Sequence, residues 1–158
     1  MKKSDKMLWE GIKQNDLRKI ALALNLGADV TAKGGYGYTP LHLAVIWDRI
    51  EIAKLLIASG AYVGAMTDTG NAPLHVAVDR DNIDLAKLLI DSGAGLDAKR
   101  RDGSTPLHLA VGRDNIAIAK LLIASGADVG AKNNSGETPL HDANSKEMRA
   151  LLREHGAE

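Results

Sequence analysis

The chain has no cysteine, so disulfides, thiol chemistry and thiolate zinc sites are all excluded. It also has no phenylalanine, only three tyrosines and only two tryptophans, so any core must be aliphatic. Charge of one sign is missing too. The 20 basic and 20 acidic residues cancel, and nothing in that balance points to nucleic acid or to a membrane surface. No apolar run approaches the roughly 20 residues that cross a bilayer. The opening Met1-Lys2-Lys3-Ser4-Asp5-Lys6-Met7 has basic residues but no apolar segment behind them, which argues against a secretory leader. Together these absences lead us to expect a cytoplasmic chain.

Proline is scarce as well, and its four occurrences are regular: positions 40, 73, 106 and 139, each 33 residues from the last. Three stand in Thr-Pro-Leu-His, at 39–42, 105–108 and 138–141, and one in Ala-Pro-Leu-His, at 72–75. A fixed period of this length marks a repeat architecture. Aligned residue by residue, 34–66 and 100–132 are identical at 23 of 33 positions. The expected division is a divergent first unit at 1–33, full units at 34–66, 67–99 and 100–132, and a last unit at 133–158 that is about one helical turn short.

Each full unit reads as helix, turn, helix, loop. Proline suits the first position of a helix, where its missing N–H would be unpaired anyway, and the threonine before it is a good cap. The first helix is short, as in 40–46. A polar turn follows, with Asp48, Asp81 or Asp114 and then Asn82 or Asn115, one of which caps the second helix. That second helix, about 50–58, is apolar except for a stripe at Glu51, Lys54 and Ala58. It therefore needs neighbours on both flanks. Gly60, Gly93 and Gly126 close the second helices, and Gly37, Gly70, Gly103 and Gly136 suit the tips of tight turns.

With its 33-residue period and Thr-Pro-Leu-His signature, the chain resembles ankyrin-repeat proteins, of bacterial or designed type, over essentially its whole length. The resemblance implies an all-α solenoid of stacked helix–turn–helix units joined by hairpin-like turns, capped at both ends. It also implies a non-catalytic protein-binding module with no cofactor, and a histidine in each unit that holds turn and helix by hydrogen bonding. His42, His75, His108 and His141 then form a ladder. At about 10 Å per unit, its rungs stand too far apart for zinc, whose ligand bonds are about 2 Å long. His155 reads as a side chain at a helix end. Ala72, in place of the capping Thr, and Gly64 and Gly130, in place of the family's usual Asn, are departures that should each remove one side-chain hydrogen bond.

No catalytic motif is present. The glycine-rich 34–40 stretch lacks the Gly-Lys-Ser/Thr that a phosphate loop requires. The informative residues are those that break the repeat. Between the third full unit and the first, Arg101 becomes Gly35, Asp102 becomes Tyr36, Ser104 becomes Tyr38, Gly112 becomes Ile46 and Arg113 becomes Trp47. Asp128 likewise becomes Tyr62, and Lys132 becomes Met66. In the resembling family, turn tips and the end of the first helix line a concave groove. We therefore expect a partner-binding surface of Tyr36, Tyr38, Ile46 and Trp47, flanked by Asp79, Arg80, Arg101, Asp102 and Arg113. The partner expected is a protein, and the chain is expected to be a monomer. The same residues also admit packing of the tyrosines on the first unit, self-association into a homo-oligomer, or a stability-selected or engineered scaffold with no native partner.

Overall fold

Prolines 40, 73, 106 and 139 each occupy the first position of a helix in the computed structural model, which describes residues 2–158. The described residues contain ten α-helices and one short 3-10 turn, with no strand. The helices are α1 (Lys3–Gln14), α2 (Leu17–Asn25), α3 (Pro40–Ile46), α4 (Ile50–Ala58), α5 (Pro73–Asp79), α6 (Ile83–Asp91), α7 (Pro106–Gly112), α8 (Ile116–Ala124), α9 (Pro139–Asp142) and α10 (Lys146–Glu154). They form five consecutive pairs. The first helices stack in the order α1, α3, α5, α7, α9, and the second helices α4, α6, α8, α10 stack beside them. This is an all-helical ankyrin-type solenoid.

One aliphatic core runs the length of the stack, from Leu8 and Ile12 through Leu41, Leu56, Leu74, Leu89, Leu107 and Leu122 to Met148 and Leu152. Each leucine of that set is wholly buried, which stabilises the fold by about 1.5–3 kcal/mol per side chain. Helix α4 exposes only the expected stripe, Glu51, Lys54 and Ala58, and α6 exposes Asp84, Lys87 and Asp91 together with Ile83 at its start.

The end pairs differ from the full units for local reasons. Position 7 carries methionine rather than proline, so α1 continues N-terminally to Lys3 and reaches 12 residues against seven in α3. Asp5, in that added turn, accepts from the backbone N–H of Lys2 and from that of Asp29. At the other end α9 has four residues instead of seven, which is the missing turn.

The polar turn between paired helices uses both of its residues, in different ways. Asp48, Asp81 and Asp114 adopt left-handed backbone, at φ 54°, 53° and 55°. Asn82 and Asn115 then cap α6 and α8 by accepting from the N–H of Leu85 and of Ile118. The aspartates link units instead. Asp48 accepts from the amide of Asn82, Asp81 from that of Asn115, and Asp114 from the hydroxyl of Ser145. Asp16 and Ser145 cap α2 and α10. Among the second helices only α4, which begins after Arg49, lacks a side-chain cap.

Candidate functional site

The histidine ladder is structural at every rung. In the first full unit, Nδ1 of His42 accepts from the Thr39 N–H at 3.2 Å and from the Thr39 hydroxyl at 2.8 Å. That assigns the proton to Nε2, which donates to the carbonyl of Asn71 in the next unit at 2.9 Å. His108 repeats the pattern, with Thr105 on one side and the Glu137 carbonyl at 3.0 Å on the other. Each of these imidazoles is thus committed at both nitrogens. Burial is the main cause that pushes the basicity of His42 below the ordinary histidine value.

The second full unit has the weak rung. Ala72 offers no hydroxyl, so Nδ1 of His75 accepts only the Ala72 N–H, at 3.1 Å. Its Nε2 is buried without a partner. Burial, as the leading cause, pushes the His75 pKa down to about 4. His141 sits in the last unit with Nδ1 bonded to Thr138 and its ring exposed. His155 closes α10, bonded through Nδ1 to the Leu151 carbonyl.

The turn tips form a second ladder. The N–H of Asp68 donates to the Tyr36 carbonyl, that of Arg101 to Thr69, and that of Asn134 to Asp102. The Arg101 guanidinium reaches the Asp68 carbonyl at 2.8 Å, and the Asn134 amide reaches the Arg101 carbonyl at 2.8 Å. Gly37 sits at φ 74° in the first of these tips, where a Cβ would come within 2.9 Å of the Asp68 nitrogen.

Tyr36 is the outlier of the ladder. It stands at φ 58° in the 3-10 turn Gly35–Gly37 and is 81% exposed. A bulky side chain in left-handed backbone costs roughly 1–2 kcal/mol, and so exposed a ring returns little of that by burial. Tyr38 behaves differently. It is half-buried and stands edge-on to His42, ring centres 5.7 Å apart, so it packs on the ladder. The first unit touches this region through Trp9 instead, whose ring would meet a Cβ on Gly34 at 3.1 Å.

Ile46 and Trp47 lie at the far end of α3 from the two tyrosines, about 10 Å away by helical rise. They line a surface depression of about 640 Å³ with Lys13, Arg49 and Arg80, and neither tyrosine reaches it. Trp47 is 37% exposed. Beside it, Asp48 forms an ion pair with Arg80 at 3.0 Å. Desolvation pulls the Asp48 carboxyl upward, but the bonds from Arg80 and Asn82 outweigh it and hold the group below the usual carboxylate value.

The remaining charged residues of the expected surface are engaged with one another. Asp79 takes Arg113 at 3.2 Å and Arg100 at 3.9 Å. Asp102 accepts from the Ser104 N–H, the leading cause of its lowered pKa, and lies 3.9 Å from Arg100. These are partly exposed pairs, the two at Asp79 between units and the one at Asp102 within a unit, and each is worth little individually. Their tie-up was not legible in sequence, because Asp79 and Arg113 are 34 residues apart.

A cleft of about 450 Å³, not foreshadowed by the repeat pattern, lies between the first two units. Val30, Thr31, Lys33, Tyr62, Gly64 and Met66 are among its walls. Tyr62 and Met66 were visible as breaks in the repeat, but nothing in the pattern showed that they line one cleft. Gly64, without a side chain, makes no bond to the next unit. At the same place in the following unit, Asp97 accepts from the Asp128 N–H at 2.9 Å.

Among the described residues no cluster of histidine and carboxylate side chains is placed to hold a metal ion, and no helix is long and apolar enough to cross a membrane. A family model for ankyrin repeats in three copies matches residues 8–102 and 74–158. The ankyrin repeat protein FPV219 of fowlpox virus is 38% identical over 55 residues, 35% of this chain and 13% of that protein. The transient receptor potential cation channel subfamily V member 5 of Oryctolagus cuniculus is 41% identical over 54 residues, 34% of this chain and 7% of that protein. The chain thus spans a small fraction of the length of these relatives. Ankyrin repeats are in general non-catalytic modules for protein–protein interaction. With the period, the stacked helix pairs and the family match in agreement, the chain belongs to the ankyrin-repeat family.

Proposed function

We propose that this chain binds a protein partner, without catalysis, through the surface formed by its turn tips and the ends of its first helices. Tyr36 and Trp47 are the anchors, and Ile46 and Arg80 stand beside Trp47. The observation that carries the reading is Tyr36. An 81% exposed aromatic held in left-handed backbone contributes nothing to the core and costs conformational energy. Tyrosine and tryptophan are also the residues enriched where interfaces concentrate their energy. Tyr38 supports the turn from behind, through His42, and Arg101 and Asp102 brace the tips of the following units. Asp79 and Arg113 hold the neighbouring units in register. A preformed, mutually braced surface limits the ordering cost of association.

The protein acts as a monomer in the cytoplasm in this reading, and recruits neither nucleic acid nor membrane. The test is affinity capture from lysate of the source cells with the intact protein and with a Tyr36→Ala, Trp47→Ala variant, read by mass spectrometry. A set of proteins retained by the first and lost by the second is expected. Identical capture by both, or a homodimer in light scattering that the double variant abolishes, overturns the proposal.

A further inference from the structure

The depression beside Trp47 has a one-sided charge. Its walls are Lys13, Ile46, Trp47, Arg49 and Arg80, which is three cations around an apolar floor, of which only Arg80 has a carboxylate partner, Asp48. The carboxylate next to it, Asp48, is already held by Arg80 and by the amide of Asn82. Lys13 and Arg49 are exposed and form no ion pair among the described residues. The chain as a whole is neutral, so this imbalance is local.

The arrangement also departs from what local stability asks. Arg49 stands where Asp16, Asn82, Asn115 and Ser145 cap the other second helices. Ile46 and Trp47 stand where the next unit has Asp79 and Arg80. These three substitutions, neighbours in one turn, exchange a cap and polar positions for a cation, an aliphatic and an aromatic side chain.

We propose that the depression receives an acidic protein segment, with an apolar side chain seated on Ile46 and Trp47 and carboxylates on either side reaching Lys13, Arg49 and Arg80. This rests on the protein-binding reading above and names the chemistry of the partner. The three cations come from three successive units, one from each. Neighbouring units are about 10 Å apart, and an extended chain advances about 3.3 Å per residue. The segment therefore carries acidic residues about three positions apart, flanking an apolar one. Carboxylate is favoured over phosphate because the cations are strung along the stack around an indole. They do not converge on one point as a phosphate cradle would.

The test is selection of a random twelve-residue peptide display library on the intact protein, followed by fluorescence polarisation with the synthetic binders. Three proteins are compared: the original, Trp47→Ala, and Lys13→Gln with Arg49→Gln, each checked for an unchanged thermal midpoint. Enriched peptides with Asp or Glu on both sides of an apolar residue are expected. Their affinity should fall at least tenfold in the Lys13→Gln, Arg49→Gln protein and at least tenfold in Trp47→Ala. It should also fall at least threefold between 50 and 300 mM NaCl. The cation variant changes two exposed side chains, so it remains informative if Trp47→Ala shifts the thermal midpoint. Neutral or basic binders that still need Trp47 overturn the acidic inference and leave the protein-binding surface standing. A thymidine oligonucleotide that competes at this site when no acidic peptide is enriched assigns the cations to phosphate and likewise overturns it. Binders indifferent to Trp47, or no binders at all, overturn both readings.

Discussion

The full units 34–66 and 67–99 pack the same core, yet each lacks a different hydrogen bond. The first keeps its threonine cap and a complete histidine rung but starts α4 on Arg49, with no side-chain cap. The second caps α6 with Asn82 but begins α5 on Ala72 and leaves Nε2 of His75 unpaired. Leu56 and Leu89 are equally and wholly buried in the two. Aliphatic burial is thus the part of the unit that must be kept. Caps and rungs are adjustable.

The largest expected effect tests the shared part. Leu56→Ala and Leu89→Ala should each cost about 2–5 kcal/mol in urea denaturation. A cost under about 0.5 kcal/mol for either would show that the two cores are not equivalent.

The next sharpens the difference between the rungs. The pKa of His75 is depressed when folded, so the unfolded chain binds the extra proton between about pH 6.5 and about pH 4. Its contribution is fully present above about pH 6.5 and is lost as pH falls toward 4. We expect about 2 kcal/mol of stability to disappear between pH 7 and pH 5. Less should be lost in His75→Gln, measured by the same denaturation at each pH. An unchanged pH slope in that variant would locate the proton elsewhere.

Repair of the two missing caps follows. Ala72→Thr should stabilise the protein by about 0.5–2 kcal/mol, since the homologous hydroxyl of Thr105 fits with no residual exposure. Arg49→Asn should stabilise by a similar amount through α4, while weakening the acidic-peptide binding proposed for the Trp47 depression. A melting point that drops in either variant would show that the original side chain is held by packing. The smallest effect belongs to the tip. Tyr36→Gly should leave stability unchanged or raise it by up to about 1 kcal/mol, because glycine adopts left-handed backbone freely. A clear loss would mean that the ring has a folding role.

These contrasts also mark how far the sequence could be read. The bounds of α3 and α4 are legible, because Pro40 and Gly60 punctuate them and the apolar pattern lies between. The division of labour between Asp81 and Asn82 is not, since both residue types cap helices and both tolerate left-handed backbone. Only the dihedral angles separate them. Of the candidate site, the exposure of Tyr36 and the setting of Trp47 follow from aromatic residues at positions where the other units are polar. The stacking of Tyr38 on His42 does not follow, nor does the pairing of Asp79 with Arg113 or the shared cleft of Tyr62 and Met66. Each is a contact set by side-chain direction or by stacking across units, which a one-dimensional pattern does not encode.

The histidine rungs give the stack a direction of growth. His42 and His108 each hand an N–H forward, to a carbonyl 29 residues later, and the exposed His141 is free to do the same. A copy of residues 100–132 inserted after Lys132 would meet the Glu137 carbonyl just as the original does, so the array can lengthen there by simple duplication. The same copy inserted before residue 34 would place Arg100 beneath the indole of Trp9, where only the bare backbone of Gly34 now leaves room. The molecule lengthens readily on one side and is crowded on the other, where a tryptophan stands at the position that every later unit gives to its histidine.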